Sequence, residues 1–295
     1  MSSPLFIGLA TALVTPFTHE GVDYDALTHL LEAQLNAGVS AMVVCGTTGE
    51  AATLSQEEKN RILTTAVEIT AGKAKIIAGI GGNNTTAAAD AAKTAAALGA
   101  DGVMLSTPYY NKANESGIIR HFTQVADQSP VPMIVYNVPG RTAVHCTDKI
   151  YAALADHPMI CGIKEASGDL SLASRTMTAL GNKLTVWSGN DDQTLALMAL
   201  GAKGVISVAS NIIPEQMKAL CDACLKQDFT TAQSIHRKYQ VLFDTLFSDV
   251  NPIPIKTAMN LLGICPGELR LPLCNMENNA VEKLLLCLKQ LSLIH

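Results

Sequence analysis

The chain has 295 residues, of which 48% are hydrophobic and 16% charged, and its formal net charge is −5. This length fits one large α/β domain, or a barrel with an appendage. An acidic balance without a Lys- and Arg-rich segment argues against a nucleic-acid groove. No apolar run reaches the roughly 18 residues that a membrane helix needs.

The N-terminus and the cysteines indicate the compartment. Residues Met1 to Phe6 lack the basic and apolar regions of a signal peptide, so we expect a cytoplasmic protein. The eight cysteines are scattered, and we expect them to be reduced and mostly buried. Cys221 and Cys224 form one CxxC pair without a second pair at zinc spacing. We therefore predict a structural thiol pair and no metal site.

Short apolar runs recur up to residue 208, with helix-like segments between them. Each run is rich in Ile, Val or Leu and has the length of a buried strand. The runs are Phe6–Val14, Ala41–Cys45, Lys75–Ile80, Gly102–Ser106, Pro132–Tyr136, Ile160–Lys164, Leu184–Trp187 and Gly204–Val208. Eight βα units ending near residue 210 predict a TIM (β/α)8 barrel.

A doubly wound α/β sheet is the alternative fold, and it would require a glycine-rich phosphate turn. The segment Gly79–Asn84 comes nearest, but Asn84 stands where the third glycine of GxGxxG is needed. The segment Gly46–Glu50 lacks the Lys-Ser/Thr pair of a P-loop. The sequence therefore favours the barrel.

Helix signals support this organisation. Ser55 and Glu58 form a capping box in a helix-like stretch over residues 53–71, and Asn84 or Thr85 caps a second over 85–98. After residue 212 apolar positions recur at helical spacing, through Ala232–Phe247, Ile255–Leu262 and Val281–Leu293. We predict a catalytic barrel over residues 1–212 and a C-terminal helical region over residues 213–295.

Lys164 carries the first chemical signal. It ends the apolar stretch Met159–Ile163 and is followed by a Ser-Gly turn at 167–168. A lysine at the end of a buried strand loses hydration, which favours its neutral form. A neutral amine can attack a carbonyl to form a Schiff base, although a solvated loop lysine remains the plainer interpretation of position alone.

Other polar residues follow neighbouring strands at the same end of the predicted barrel. Tyr136 is one strand from Lys164 and could move protons. Thr47 and Thr48, flanked by glycines, offer hydroxyl and amide donors to a carboxylate. Arg141 could bind a second carboxylate with two hydrogen bonds. Taken singly, these could also be an ordinary turn, a core tyrosine and a surface ion pair.

Three motifs resemble those of the dihydrodipicolinate synthase family, also called 4-hydroxy-tetrahydrodipicolinate synthase. They are Gly46–Glu50, Tyr136–Thr142 and Gly162–Gly168. The resemblance extends over essentially the whole chain, with further matching segments at 15–17, 107–111, 251–256 and 269–273.

The resemblance implies a set of roles. Lys164 forms the Schiff base with pyruvate, Tyr136 donates and accepts protons, and Thr47 relays protons to Tyr110 of a neighbouring subunit. Thr48 holds the pyruvate carboxylate, and Arg141 binds that of L-aspartate 4-semialdehyde. The backbone groups of Gly189 and Ile206 line the pyruvate site. The resemblance also implies a homotetramer built as a dimer of dimers, and no metal or organic cofactor.

Two alternatives stay open. N-acetylneuraminate lyase and the keto-deoxy-sugar-acid aldolases share this barrel and this lysine, but usually carry an apolar residue where Arg141 stands. The second is a catalytically silent barrel that binds a keto acid as a regulator, for which a missing Lys164 or Tyr136 would be the signature.

The resemblance also bears on regulation. Lysine-inhibited members use an acid and histidines in an allosteric pocket, and the corresponding positions here are Ala87, Gln56 and Lys59. Because a lysine ammonium would find no carboxylate there, we predict weak or no feedback inhibition by lysine.

Overall fold

The computed structural model describes residues 4–294. The start of the predicted segment 1–212 and the end of the predicted segment 213–295 therefore lie outside the described residues. The strands are β1 (Gly8–Ala12), β2 (Phe17–Thr18), β3 (Gly21–Val22), β4 (Ala41–Val44), β5 (Lys75–Gly79), β6 (Gly102–Ser106), β7 (Met133–Asn137), β8 (Ile160–Glu165), β9 (Thr185–Ser188) and β10 (Gly204–Ser207).

Eight of these strands close into one parallel barrel, which confirms the predicted fold. The order around the barrel is β1-β4-β5-β6-β7-β8-β9-β10, and β10 pairs again with β1. Ala10 is opposite Ala41 on one side of β1, and Gly8 is opposite Gly204 on the other. Each of the eight predicted apolar runs overlaps one barrel strand; β2 and β3 form a separate antiparallel pair.

The strands are buried on both faces. Ile134, Trp187 and Ile206 belong to an apolar cluster inside the barrel, whereas Val135 and Val205 belong to the larger cluster that includes helix residues. This double burial explains why the strands appear in the sequence as continuous apolar runs.

The helices surround the barrel and continue beyond it. They are α1 (Tyr24–Asn36), α2 (Gln56–Thr70), α3 (Thr85–Ala97), α4 (Glu115–Gln128), α5 (Pro139–Thr142), α6 (Asp148–Leu154), α7 (Leu170–Leu180), α8 (Thr194–Ala199), α9 (Pro214–Leu225), α10 (Phe229–Leu246), α11 (Ile253–Leu261) and α12 (Asn278–Gln290). None of them, in residues 4–294, has the length and hydropathy of a membrane-spanning helix.

Helix starts follow local capping. The Ser55–Glu58 capping box is present, and Asn84 caps α3 by accepting from the Ala87 amide at 3.1 Å. The first predicted stretch begins at residue 53, three residues before α2, because residues 51–53 form a separate 3₁₀ turn. Seven cysteines are buried, Cys221 and Cys224 among them, and Cys274 is exposed.

The C-terminal helices pack directly on the barrel. Helix α9 contacts β1 and β10, and α10 contacts α9. A buried ion pair joins Lys256 of α11 to Glu50 after β4, with Nζ 2.7 Å from Oε1. The domain boundary at 212/213 stays a prediction.

Candidate active site

Lys164 points into the barrel from the penultimate position of β8. In the parallel ladder it is level with Tyr136 of β7 and Trp187 of β9. Its side chain is buried, and Nζ lies 4.4 Å from the centroid of the Tyr136 ring. Strand alternation places Glu165 on the outer face, where its carboxylate accepts from the Tyr151 hydroxyl at 3.2 Å. The register therefore fixes an amine beside a phenol.

The surroundings of Lys164 favour its neutral form. Burial lowers the pKa of the Lys164 amine to about 8; the Asp191 carboxylate opposes this and Arg141 adds to it. At this pKa an appreciable fraction of the amine is unprotonated near neutral pH. The side chain can therefore act as a nucleophile without a separate base to deprotonate it first.

Tyr136 is kept protonated by the same environment. Burial raises the pKa of its phenol, while Arg141 and the nearby Thr47 hydroxyl act in the opposite direction. A protonated phenol beside a neutral amine can give a proton to a reacting carbonyl oxygen and take one back.

The turn after β9 leaves space for the lysine stem. A Cβ on Gly189 would lie 3.1 Å from Lys164 Cε and 2.7 Å from Ala166 Cβ, so a side chain does not fit. The Gly189 amide donates to the Glu165 carbonyl at 2.7 Å, which holds this turn against the end of β8. Ile206 is fully buried in the cluster inside the barrel.

A cavity of about 480 Å³ opens above the barrel. Thr47, Tyr136 and Arg141 line it, together with Asn251 from the segment that precedes α11. Arg141 donates from Nη2 to the Asn251 carbonyl at 2.7 Å, and Asn251 Nδ2 donates to Thr48 Oγ1 at 3.0 Å. The cavity can therefore present a cation and a hydroxyl to anionic ligands.

Tyr110 is the predicted residue that this chain does not bring to the cavity. It is 91% exposed and its φ is +67°, while its neighbour Tyr109 lines the cavity wall. Within one chain Tyr110 therefore does not join Thr47 and Tyr136, and its predicted role in a neighbouring subunit stays a prediction.

Sequence reasoning missed two buried residues. In the sequence Asp191 is consistent with a cap of the following helix, but in the structure its carboxylate is buried and accepts from the Val208 and Ala209 amides at 3.0 and 2.9 Å. Sequence reasoning gave Asn251 no role. The signal for Asp191 was its position just after β9; for Asn251 it was a matching motif without a stated function. Among residues 4–294 no group of His, Cys, Asp or Glu could hold a metal ion.

The family model described as the dihydrodipicolinate synthetase family matches the chain from residue 5 to residue 291. The chain belongs to this family. It is similar to the 4-hydroxy-tetrahydrodipicolinate synthase of Exiguobacterium sibiricum, at 49% identity over 91% of this chain and 92% of that one. Dihydrodipicolinate synthetase family members are pyruvate-dependent, Schiff-base-forming enzymes, and the chain is therefore an enzyme of this class.

Solved structures of dihydrodipicolinate synthases agree. The enzyme from Aquifex aeolicus superposes with a TM-score of 0.95 at 42% identity, covering 98% of this chain and 99% of that one. The enzyme from Acinetobacter baumannii, solved in complex with pyruvate, gives 0.96 at 38% identity and the same coverages. The Schiff-base barrel expected from the sequence is thus the fold of its relatives.

A second cavity of about 260 Å³ lies between α2 and α3 of this dihydrodipicolinate synthetase family member. Gln56, Lys59, Asn83 and Ala87 line it, and none of its lining residues in the described chain carries a carboxylate. Weak or absent inhibition by lysine stays a prediction, to which this lining adds support.

Proposed function

We propose that this chain is a 4-hydroxy-tetrahydrodipicolinate synthase, which condenses pyruvate with L-aspartate 4-semialdehyde in diaminopimelate and lysine biosynthesis. The observation that carries the proposal is the pairing of Lys164 with Tyr136. A buried amine with a pKa of about 8 lies over a buried, protonated phenol at the carboxyl end of the barrel. This is where enzymes of this fold hold their reacting groups.

The proposed reaction begins on Lys164. Its neutral amine attacks the keto carbon of pyruvate, and the carbinolamine loses water to give an iminium ion. The iminium withdraws electrons from the methyl carbon, which loses a proton and becomes an enamine. The enamine carbon attacks the aldehyde carbon of the second substrate, and the amine of that substrate then attacks the iminium carbon. Cyclisation in this way releases Lys164 unchanged.

Proton transfers in this scheme fall to Tyr136. It protonates the departing hydroxyl of the carbinolamine and receives the methyl proton, roles that a phenol with a raised pKa can alternate between. Thr47, beside the phenol, passes protons to Tyr110 of a neighbouring subunit. The exposure of Tyr110 supports that assignment, because it leaves the ring free to enter another chain's cavity.

Binding roles follow from the polar groups around the lysine. We assign the pyruvate carboxylate to Thr48, with the turn residue Gly189 and the strand residue Ile206 as the neighbouring walls. We assign the carboxylate of L-aspartate 4-semialdehyde to Arg141, whose guanidinium borders the cavity and forms no ion pair within residues 4–294.

The proposal extends to setting and assembly. We propose a cytoplasmic homotetramer built from tight dimers, with pyruvate and L-aspartate 4-semialdehyde as its small-molecule partners. The chemistry requires neither a metal nor an organic cofactor, because the iminium itself is the electron sink.

Arg141 separates this function from sugar-acid cleavage. The Arg141 guanidinium gives a substrate carboxylate a charged partner. Beside an uncharged sugar chain, the same guanidinium would stay unpaired. We expect Arg141→Ala to raise KM for L-aspartate 4-semialdehyde about 10- to 100-fold, the usual range for losing a charge-assisted hydrogen bond. KM for pyruvate should change little.

Steady-state kinetics with both substrates varied would test this. Arg237→Ala, an exposed arginine on α10, is the matched control and should behave as the parent enzyme. An unchanged KM for the semialdehyde in Arg141→Ala, or efficient cleavage of N-acetylneuraminate by the parent enzyme, would favour the lyase alternative.

A further inference from the structure

Asn251 lies where the C-terminal helical region meets the active-site cavity. We propose that it is a positioning residue: its side chain presents the Thr48 hydroxyl as a donor to the keto-acid carboxylate, and its backbone carbonyl holds Arg141 at the cavity wall. This inference rests on the proposed function. Asn251 is 7% exposed and precedes α11, so its position is fixed by packing.

The contact with Thr48 determines which way that hydroxyl can act. Asn251 Nδ2 donates to Thr48 Oγ1 at 3.0 Å, so the threonine oxygen already accepts one hydrogen bond. A hydroxyl has a single hydrogen, which remains free to donate elsewhere. Thr48 is buried, and no other side-chain hydrogen bond from it occurs within residues 4–294. Its hydrogen is therefore not engaged within residues 4–294 and can be donated to an anionic ligand that reaches it.

The side chain of Asn251 has no other hydrogen bond in the described chain. Its Oδ1 atom is buried and accepts no hydrogen bond from residues 4–294. Buried amide oxygens normally have a hydrogen-bond partner, so structural stability alone explains an asparagine at this position poorly. Within residues 4–294, donation to Thr48 is the one hydrogen bond that its carboxamide makes, and this points to Thr48 as the reason for the residue.

The contact with Arg141 uses a different part of the same residue. Arg141 Nη2 donates to the Asn251 backbone carbonyl at 2.7 Å, which leaves the remaining guanidinium donors for a ligand. One residue thus connects two carboxylate-binding groups that lie on different loops of the barrel. Because the Arg141 contact is made by the backbone, a side-chain substitution should leave it in place.

Two variants test the assignment. Asn251→Asp keeps the shape but its carboxylate cannot donate to Thr48, and Asn251→Ala removes the group. We expect KM for pyruvate to rise about tenfold or more in both, with KM for L-aspartate 4-semialdehyde changing less than about threefold. In a Thr48→Val background Asn251→Ala should add little further effect, because the two residues act as one unit. Asn260→Ala, an exposed asparagine of α11, should match the parent enzyme.

The outcomes separate this inference from the proposed function. Borohydride trapping of pyruvate by the parent protein tests the function without using Asn251 variants. If the parent forms the adduct but the variants keep its pyruvate KM, or if Asn251→Ala and Thr48→Val combine additively, the positioning role is wrong. An equally large rise in KM for the semialdehyde would show that the Asn251 side chain also acts on Arg141, and would overturn the assignment of that side chain to Thr48 alone.

Discussion

Burial and two neighbouring charges set the reactivity of Lys164. Burial lowers the pKa of its amine, Asp191 raises it and Arg141 lowers it further, for a result of about 8. Asp191 is also anchored by the Val208 and Ala209 amides, which keep its carboxylate fixed near the barrel. The same carboxylate that stabilises the turn after β10 therefore also limits how far burial lowers the pKa of Lys164.

This balance predicts a pH dependence. Only the neutral amine attacks, so the rate of Schiff-base formation should rise with pH up to about 8 and fall about tenfold per unit well below it. In Asp191→Asn the opposing charge is lost, the pKa of Lys164 falls, and the profile should move to lower pH. Stopped-flow measurement of adduct formation across pH would show it.

The adjacent carboxylate provides the control for this shift. Asp192 acts on His236 and on Asp191 but not directly on Lys164, so Asp192→Asn should move the profile much less than Asp191→Asn. A profile that moves to higher pH in Asp191→Asn, or moves equally in both variants, would contradict the account.

At this scale the sequence predicts the reacting groups better than their partners. Lys164 and Tyr136 could be predicted because each ends a buried strand, and strand ends in a barrel share one face. The orientation of Asp191 could not be predicted, because a carboxylate that follows a strand can cap the next helix as readily as it accepts hydrogen bonds from a neighbouring turn. The Asn251–Thr48 hydrogen bond joins residues 203 positions apart, beyond any local pattern.

Among the elements, α11 and the turn after β4 depend on each other. Lys256 of α11 is fully buried and donates to Glu50 at 2.7 Å and to the Thr15 carbonyl at 2.9 Å. The second oxygen of Glu50 accepts from the Arg270 amide at 3.1 Å. The turn that carries Thr47 and Thr48 is therefore anchored by a buried ion pair with the C-terminal helical region.

Breaking that pair on one side should be costly. Lys256→Met leaves the Glu50 carboxylate buried without the ammonium group that pairs with it. We therefore expect a loss of about 3–5 kcal/mol in the free energy of unfolding. Glu50→Gln in the same chain should recover part of it. Urea unfolding measures both, and Lys93→Met, which breaks an exposed pair with Asp90, should cost at most about 1 kcal/mol. Equal losses for the two lysines would refute the prediction.

Elements of regular structure were largely predictable, since the eight strands are continuous apolar runs and the α2 capping box lies in adjacent residues. The attachment of α11 was not, because Glu50 and Lys256 are 206 residues apart and each looks like an ordinary surface charge in the sequence.

For the whole molecule, the exposure of Tyr110 bears on whether one chain is the complete catalyst. The ring is 91% exposed, beside a cavity whose wall carries Tyr109 instead. If the proposed exchange of Tyr110 between subunits is correct, each active site combines Lys164 of one chain with Tyr110 of another. The closed barrel then supplies the reacting amine, and the assembly supplies the end of the proton relay.

Complementation tests this exchange. Lys164→Ala and Tyr110→Phe should each be strongly impaired alone, whereas subunits mixed by reversible dissociation should regain activity. In a mixed dimer one site would take an intact Lys164 from one chain and an intact Tyr110 from the other. Mixing Lys164→Ala with Tyr136→Phe should restore nothing, because both residues act within one chain. Equal recovery in both mixtures, or none in either, would contradict the exchange.

The most direct test of the account is borohydride reduction in the presence of pyruvate, followed by mass spectrometry of the peptides. The account predicts a reduced pyruvate adduct on the peptide that contains Lys164, and no adduct in Lys164→Ala. A folded protein that traps no pyruvate, or that carries the adduct on a different lysine, would contradict the Schiff-base mechanism and favour a barrel that only binds a keto acid.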